Sequence, residues 1–328
     1  MSVDLNKYTN IPMIPKTSPL VRVGILSEIK DYNHDLLNIP DMWRVTKGDL
    51  VKLCILDTGL PDHCDIDPEG GAGFINGSSY VKDENGHSTF CGGILSAKTN
   101  NGMGVSGVCP NVLDYYGAVL DKYGSGSVDA IIKGIYWAVD EVGADVISMS
   151  LGIPHQFKPG KELEDACNYA YNQGCTLFAS AGNDSREVNW PAAYDSVIAV
   201  AAVDRNMKLA KFSSRGPEVE FAAGGVDVFS TYKNNSYATM SGTSFSCPAV
   251  AGVGCLIASK FKAKGFRLTP DEIRSRIKKI AYDVGPEGKD DMFGYGIPVF
   301  TKDCDLEEAG TPKNTSWLSR LFRHLKIW

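Results

Sequence analysis

Ser244 stands in MSGTSFSCPAVAG (240–252), where small and hydroxylated residues lead into an apolar run that shows no polar face until Lys260. A serine hydroxyl is a weak nucleophile until a neighbouring base takes its proton and a third group orients that base. The chain has five histidines: His34, His63, His87, His155 and His324. Among them His87, in DENGHSTFCGGILSA, repeats the passage from a polar loop into a small-residue apolar helix. Asp57 ends the apolar run VKLCILDTG (51–59), and Asn183 lies in SAGND. Taken singly, each has an ordinary reading: a capping serine, a solvated loop histidine, a capping aspartate, a turn asparagine.

The elements that must hold these residues can be read from the pattern around them. A helix apolar all round is buried, so the segment after Ser244 is expected to be a central core helix with Ser244 near its N-terminus. Gly242 supplies conformational freedom before that helix, and Pro248 is tolerable in a first helical turn. Unpaired N–H groups at such a terminus favour negative charge. VKLCILDTG, DVISMSLG (145–152), CTLFASAGN (175–183) and SVIAVAAVD (196–204) each run from apolar to polar or Gly-rich, as buried parallel strands entering loops do. Helices are expected between them at 127–142 and at 161–173, the second closing on Gly174. Strands alternating with helices imply an α/β fold with a parallel sheet, whose ligands bind beyond the strands' carboxyl ends. Asp57, Ser150 and Asn183 fall there.

At 328 residues with 43% apolar content, one large domain with tails is expected. A net charge of -6 argues against nucleic-acid partners, which call for a basic face. No apolar run is expected to span a membrane, and the first 20 residues do not read as a secretory signal. Nine cysteines, an odd number without C-x-x-C pairs, several of them in apolar runs, point to reduced thiols and a cytoplasmic setting. A sequon at Asn183-Asp184-Ser185 also disfavours secretion. An α/β-hydrolase esterase is disfavoured because the serine reads Gly242-Thr243-Ser244-Phe245-Ser246, not G-x-S-x-G, and the chain order is wrong for it.

ILDTG, NGHST, SMSLG (148–152), SAGN (180–183) and SGTSFSCPAVAG occur in that order and closely resemble the signatures of the subtilisin-like serine proteases. The resemblance runs from about Met42 to Gly296, and IPDMWRVTKGDLVKLCILDTG is most similar to the intracellular subtilisins. It implies a three-layer fold with a central, mainly parallel sheet flanked by helices. It also implies an endopeptidase acting on protein or peptide substrates through an acyl-enzyme. Ser244 would be the nucleophile, His87 the general base, Asp57 its orienting carboxylate, and Asn183 an oxyanion donor beside the Ser244 N–H. Gly124-Ser125-Gly126 and Ser150-Leu151-Gly152 would be cleft edges that pair with an extended peptide. A catalytically silent peptide-binding protein is the rival reading.

The resemblance departs at His87-Ser88-Thr89-Phe90, where Gly-Thr-His is usual after the histidine, and at Cys247-Pro248-Ala249-Val250. Cys91 matches a free cysteine of the proteinase K branch, which implies inhibition by bulky thiol reagents. Asp65 and the loop KTNNGMGV (98–105) are similar to a structural Ca²⁺ site, with Asp65, Lys98, Asn101, Met103 and Val105 as the set and Asn100 the alternative to Asn101. Glu218 and Glu220 match a second, weaker cation site, or form a solvated acidic pair. The stretch 183–190 would wall the first specificity pocket, with Asp184 at its mouth. Residues 1–20, containing IPMIPK, would be an inhibitory leader, 21–303 the peptidase domain, and 304–328 a linker and tail. In WLSRLFRHLKIW (317–328) Trp317, Leu318, Leu321, Phe322 and Leu325 share a helical face, suited to docking on the domain, a second subunit or a membrane surface.

Overall fold

The computed structural model describes residues 27–75 and 81–301, and the backbone of 11–12 and 20–22. The sheet strands, in chain order, are β1 (Lys52–Asp57), β2 (Gly70–Gly73), β3 (Leu113–Ala118), β4 (Val146–Met149), β5 (Thr176–Ser180), β6 (Val197–Val203) and β7 (Val219–Gly224). They lie in the order β7-β6-β5-β4-β1-β3-β2, and every neighbouring pair is parallel. The chain leaves β1, builds β2 and β3 on one side, then returns to build β4 to β7 on the other. The carboxyl end of β1, which is Asp57, therefore sits where the direction of winding reverses, the favoured place for a site in such a sheet. All four strands read from the sequence form. β2, β3 and β7 carry weaker signals: GGAG has no β-branched or aromatic residue, and LDYYGA and VEFAAG place a carboxylate inside the strand.

The helices flanking the sheet are α1 (His87–Ser96), α2 (Val128–Trp137), α3 (Lys161–Asn172), α4 (Thr243–Lys262) and α5 (Pro270–Ile280). α1 packs on α4 and α2 on α3, giving the outer layers of a three-layer α/β fold. Ser127 caps α2 by accepting from the Ala130 N–H, and the segment continues as a wider turn through Ala138–Val142, as the expected range 127–142 requires. α3 ends at Asn172 with Gly174 at φ +81 just beyond. α4 buries every residue except Lys260 and Lys262 and lies against β4 to β7. By length and hydropathy it would qualify to cross a membrane, contrary to the expectation from sequence, but 94% of its apolar window is buried in the core. α1 approaches the hairpin Val228–Tyr232/Ser236–Met240 so closely that a Cβ on Gly93 would collide with Ser230 and Thr231.

Two expectations about the entry to α4 need correction. Gly242 has φ 165, extended backbone open to any residue, so left-handed freedom is not its use. Pro248 is the sixth residue of α4, beyond the first turn, so its missing N–H withdraws a helical bond from the carbonyl of Ser244. Apolar residues from Leu36 to Phe300 share one core. Leu20–Arg22 adds antiparallel to Ser236–Met240, and Ile11–Pro12 adds antiparallel to the short strand Ser125–Gly126. The linker and tail expected at 304–328 lie outside the described residues, as does His324.

Candidate active site

The end of β1 and the start of α1 bring an acid and a base together. Asp57 is fully buried, and its carboxylate accepts from Nδ1–H of His87 at 2.8 and 3.0 Å and from the Thr58 N–H at 2.7 Å. These contacts fix the tautomer, leaving Nε2 of His87 as the basic nitrogen. That Nε2 is buried without a hydrogen-bond partner among the described residues. Burial opposes protonation of His87, but the Asp57 charge outweighs it and holds the imidazole pKa well above its ordinary value. Phe245 lies 5.7 Å from the imidazole, ring centre to ring centre, and packs on Phe90, closing one side of the ring.

A second buried carboxylate holds this arrangement in place. Oδ1 of Asp83 accepts from the Thr58 hydroxyl at 2.8 Å and from the N–H groups of Asn85 and Gly86. Its Oδ2 accepts from the Thr89 N–H at 2.8 Å and from the Thr89 hydroxyl at 2.6 Å. Asp83 thus caps α1, whose own N-cap is a glycine, and anchors the residue that follows Asp57. The sequence reading passed over Asp83; its signal was a carboxylate a few residues before an apolar helix that lacks a side-chain cap.

Ser244 is the second residue of α4, 3% exposed, and its hydroxyl donates to the Ser150 carbonyl at 3.3 Å. In return the Ser150 hydroxyl donates to the Ser244 carbonyl at 2.7 Å, and the Cys91 thiol donates to the same oxygen at 3.4 Å. Cys91 lies 3.9 Å from Nδ1 of His87, and burial raises its pKa, so it remains a thiol. Asn183 has a forced orientation. Its Oδ1 accepts from the Thr243 N–H at 2.8 Å and the Thr243 hydroxyl at 3.1 Å, and a backbone N–H can only donate. The Nδ2 group is therefore the free end of the amide, and neither it nor the Ser244 N–H has an acceptor among the described residues.

The substrate-edge candidates divide in two. Gly124, at φ +73, and Ser125 belong to a turn gathered by Asp121, which accepts from the Tyr123 and Ser125 N–H groups. Ser125 and Gly126 are the residues paired with Ile11–Pro12. Ser150, Leu151 and Gly152 follow β4 directly, and Ile153 bridges Trp190. The Asn189 side chain lies against Gly152 and Gly182, within the stretch expected to wall the pocket. Asp184 is exposed and accepts from the Ser214 hydroxyl.

Around Asp65 the loop closes with Asn101 and not Asn100 reaching the carboxylate: Nδ2 of Asn101 donates to Oδ1 at 2.5 Å. The Val105 N–H and the Tyr237 hydroxyl donate to Oδ2, and the Lys98 N–H bonds to the Asp65 backbone carbonyl. Oδ1 of Asn101 accepts from the Met103 N–H. Gly104, at φ +62, faces the carboxylate so closely that a Cβ would strike it. Glu28, absent from the sequence reading, grips the same loop through the Asn101 N–H and the Thr99 and Ser106 hydroxyls. Asp65 is fully buried, has its pKa raised by burial, and has no cationic side chain bonded to it among the described residues. A buried carboxylate met only by neutral donors is short of positive charge, and the carbonyl and amide oxygens of its loop are the hard donors a Ca²⁺ ion takes. At the second candidate site a guanidinium supplies the positive charge: Arg274 meets Glu220 at 2.9 Å, against burial that lifts the carboxyl to about 7.

The other described histidines have structural partners. His34 bonds to the Gly107 carbonyl, His63 to that of Ser236, and His155 to that of Val188 while stacking on Trp190.

A family model described as "Subtilase family" matches residues 48–296. The chain is 43% identical over 256 residues to Subtilisin DY of Bacillus licheniformis, covering 76% of this chain and 88% of that protein. It is 37% identical over 263 residues to Thermitase of Thermoactinomyces vulgaris, covering 79% and 91%. It is 38% identical over 271 residues to the Minor extracellular protease Epr of Bacillus subtilis (strain 168), covering 82% of this chain but 41% of the length of Epr.

Proposed function

This chain belongs to the subtilase family and, matching Subtilisin DY and Thermitase over most of their lengths, is a serine endopeptidase; we propose that it cuts protein substrates through an acyl-enzyme on Ser244. The observation that carries this reading is the buried Asp57–His87 pair, which leaves Nε2 as the basic nitrogen, without a partner among the described residues, at the start of α1. Rotation about the Cα–Cβ bond of Ser244 exchanges its contact with the Ser150 carbonyl for one with Nε2. His87 takes the hydroxyl proton as Oγ attacks the peptide carbonyl, and Asp57 stabilises the resulting imidazolium. The carbonyl oxygen, now negative, is held by Nδ2 of Asn183 and the Ser244 N–H at the positive end of α4. Proton return to the leaving amine gives the acyl-enzyme, and water activated by the same base releases the acid.

The peptide to be cut adds as a strand between the edges 124–126 and 150–152, which gives affinity with little dependence on sequence. Residues 1–20 act as an inhibitory leader. What supports this is the antiparallel pairing of Ile11–Pro12 with Ser125–Gly126, since it uses the edge a substrate strand would need. Asp65 and Asn101, with the loop carbonyls of Lys98, Met103 and Val105, would hold structural Ca²⁺, and Glu28 braces the loop through Thr99, Asn101 and Ser106. When bound, the ion supplies the charge that the buried Asp65 lacks, and Asn101 must then turn its amide oxygen inward. The enzyme works in the cytoplasm; the free thiols support this, seven of the eight described cysteines being buried. The tail 304–328 serves for docking on the domain or on a second copy.

The reading is tested on a chemically unfolded protein substrate, with the full-length chain, a chain starting at residue 21, and Ser244→Ala of each. Internal cleavage by the first two and none by the Ser244→Ala forms is expected, with a faster initial rate from the shortened chain. Cleavage by Ser244→Ala would overturn the nucleophile, and equal initial rates would overturn the leader. A folded chain that binds the substrate but never cuts it would establish the peptide-binding alternative.

A further inference from the structure

The carbonyl of Ser244 occupies an unusual position in the active site. In an α-helix it would accept from the N–H four residues on, but that residue is Pro248, which has none. The oxygen is buried, and a buried carbonyl left without a donor is costly. Two side chains from two other elements supply the donors. The Ser150 hydroxyl reaches it at 2.7 Å from the segment after β4, and the Cys91 thiol at 3.4 Å from the second turn of α1. Both residues are buried, at 1% and 0% exposure, so neither donor has water as an alternative. The carbonyl therefore joins three elements: the helix of the nucleophile, the helix of the base and a substrate edge.

We propose that Ser150 and Cys91 are positioning residues, whose shared hydrogen bonds to the Ser244 carbonyl set the backbone of the nucleophile for transition-state binding. The peptide plane of Ser244 fixes where its Oγ starts and bears on the direction of its N–H, the backbone donor of the oxyanion site. Ser150 thereby acts twice: its carbonyl faces the nucleophile's hydroxyl, and its own hydroxyl holds the nucleophile's backbone. Burial keeps Cys91 protonated, as a donor must be.

Two donors sharing one acceptor predict a particular pattern of loss. With either removed, the other still satisfies the oxygen; with both removed, the oxygen is orphaned. The inference rests on Ser244 as nucleophile, so a fluorophosphonate adduct on the wild type is established first, which separates failure of that reading from failure of this one. Ser150→Ala, Cys91→Val and the double variant are then compared by kcat, KM and affinity for a peptide boronate, which forms a tetrahedral adduct on the serine. Thermal unfolding and circular dichroism establish the folded fraction.

Each single variant is expected to lose roughly two- to fivefold in kcat, and the double variant about 100-fold or more, beyond the product of the singles. Boronate affinity should fall in step with kcat, while KM and the affinity for a non-covalent peptide amide stay within about twofold. Cys91→Ser, which restores a donor, should recover most of what Cys91→Val loses. Three results would overturn the proposal: unchanged kcat in the double variant, singles that multiply to the double, or equal losses in boronate and peptide-amide binding.

Discussion

Two helices begin at the active site, α1 with His87 and α4 with Ser244, and their first turns are completed in opposite ways. Both have glycine at the N-cap and no side-chain cap of their own. At α1 a resident carboxylate, Asp83, fills the site, taking five hydrogen bonds from the residues around His87 and from Thr58. At α4 the cap is a neutral amide: Asn183 accepts from Thr243, and among the described residues its own N–H₂ and the Ser244 N–H stay open. The difference follows from the charge each helix must meet. On the proposed mechanism His87 becomes cationic, and a bare helix N-terminus beside it would oppose that; Asp83 and Asp57 offset the helix dipole. On the proposed mechanism a negative charge forms beside Ser244 only in the tetrahedral intermediate, on the substrate's carbonyl oxygen, so the end of α4 has to stay open until then.

Substitutions that exchange the two conditions test this contrast, the largest effect coming from the acid that serves the base. Asp57→Asn should lower kcat by about 10⁴-fold by presenting the wrong tautomer of His87. The same change removes the charge that raises the His87 pKa. The acid limb of kcat/KM, which reports loss of the neutral base, should therefore lie above the ordinary imidazole value in the wild type and move to lower pH in the variant. The Asp57–His87 pairing also contributes stability that is complete below about pH 6.5 and fades as pH rises through the folded pKa of His87. A limb that stays in place would show that Asp57 is not the charge that sets it.

Placing an anion at the start of α4 sharpens the comparison. Asn183→Ala should cost roughly 10²–10³ in kcat with KM little changed, a figure measured on the corresponding residue of a relative. Asn183→Asp, which puts a carboxylate where the oxyanion forms, should cost more than Asn183→Ala, by about tenfold or greater. If the aspartate variant were the more active of the two, the open helix end would not be an anion site. The reverse exchange, Asp83→Asn, should lose about tenfold in kcat and roughly 2 kcal/mol in stability, because an amide N–H₂ must face backbone donors. Full activity together with an unchanged unfolding temperature in that variant would remove Asp83 from the account. Away from both helices, a chelator should lower the unfolding temperature by roughly 5 °C or more, and Asp65→Asn should abolish that response. A chelator without effect on the wild type would argue that Asn101 and Val105 suffice for Asp65.

Where the sequence was legible, its signals were local. Apolar runs ending in polar residues marked β1, β4, β5 and β6, and the two passages from polar loop to small-residue helix marked His87 and Ser244. Two of the misses depend on contacts between distant segments: Glu28 meets Asn101 across 73 positions, and the Ser150 hydroxyl meets the Ser244 carbonyl across 94. Asp83 is different, since Asn85, Gly86 and Thr89 lie within six positions of it and only Thr58 is more distant. Pro248 falls outside the first turn because the N-cap is Gly242 and not Ser244, which makes the proline the sixth helical residue where a capping serine would make it the fourth. Gly242 shows that composition alone does not reveal why a glycine is used. Glu220 reads as an acidic pair with Glu218 until Arg274, 54 residues later, is folded against it.

The central claim is that Ser244 is activated by His87, and intact mass after reaction with a fluorophosphonate measures this directly. The wild type and a chain starting at residue 21 would be compared with Ser244→Ala. The account predicts one adduct on each serine-bearing chain, faster on the shortened one, and none on Ser244→Ala. A folded shortened chain that stays unmodified, or an adduct that persists on Ser244→Ala, would contradict it.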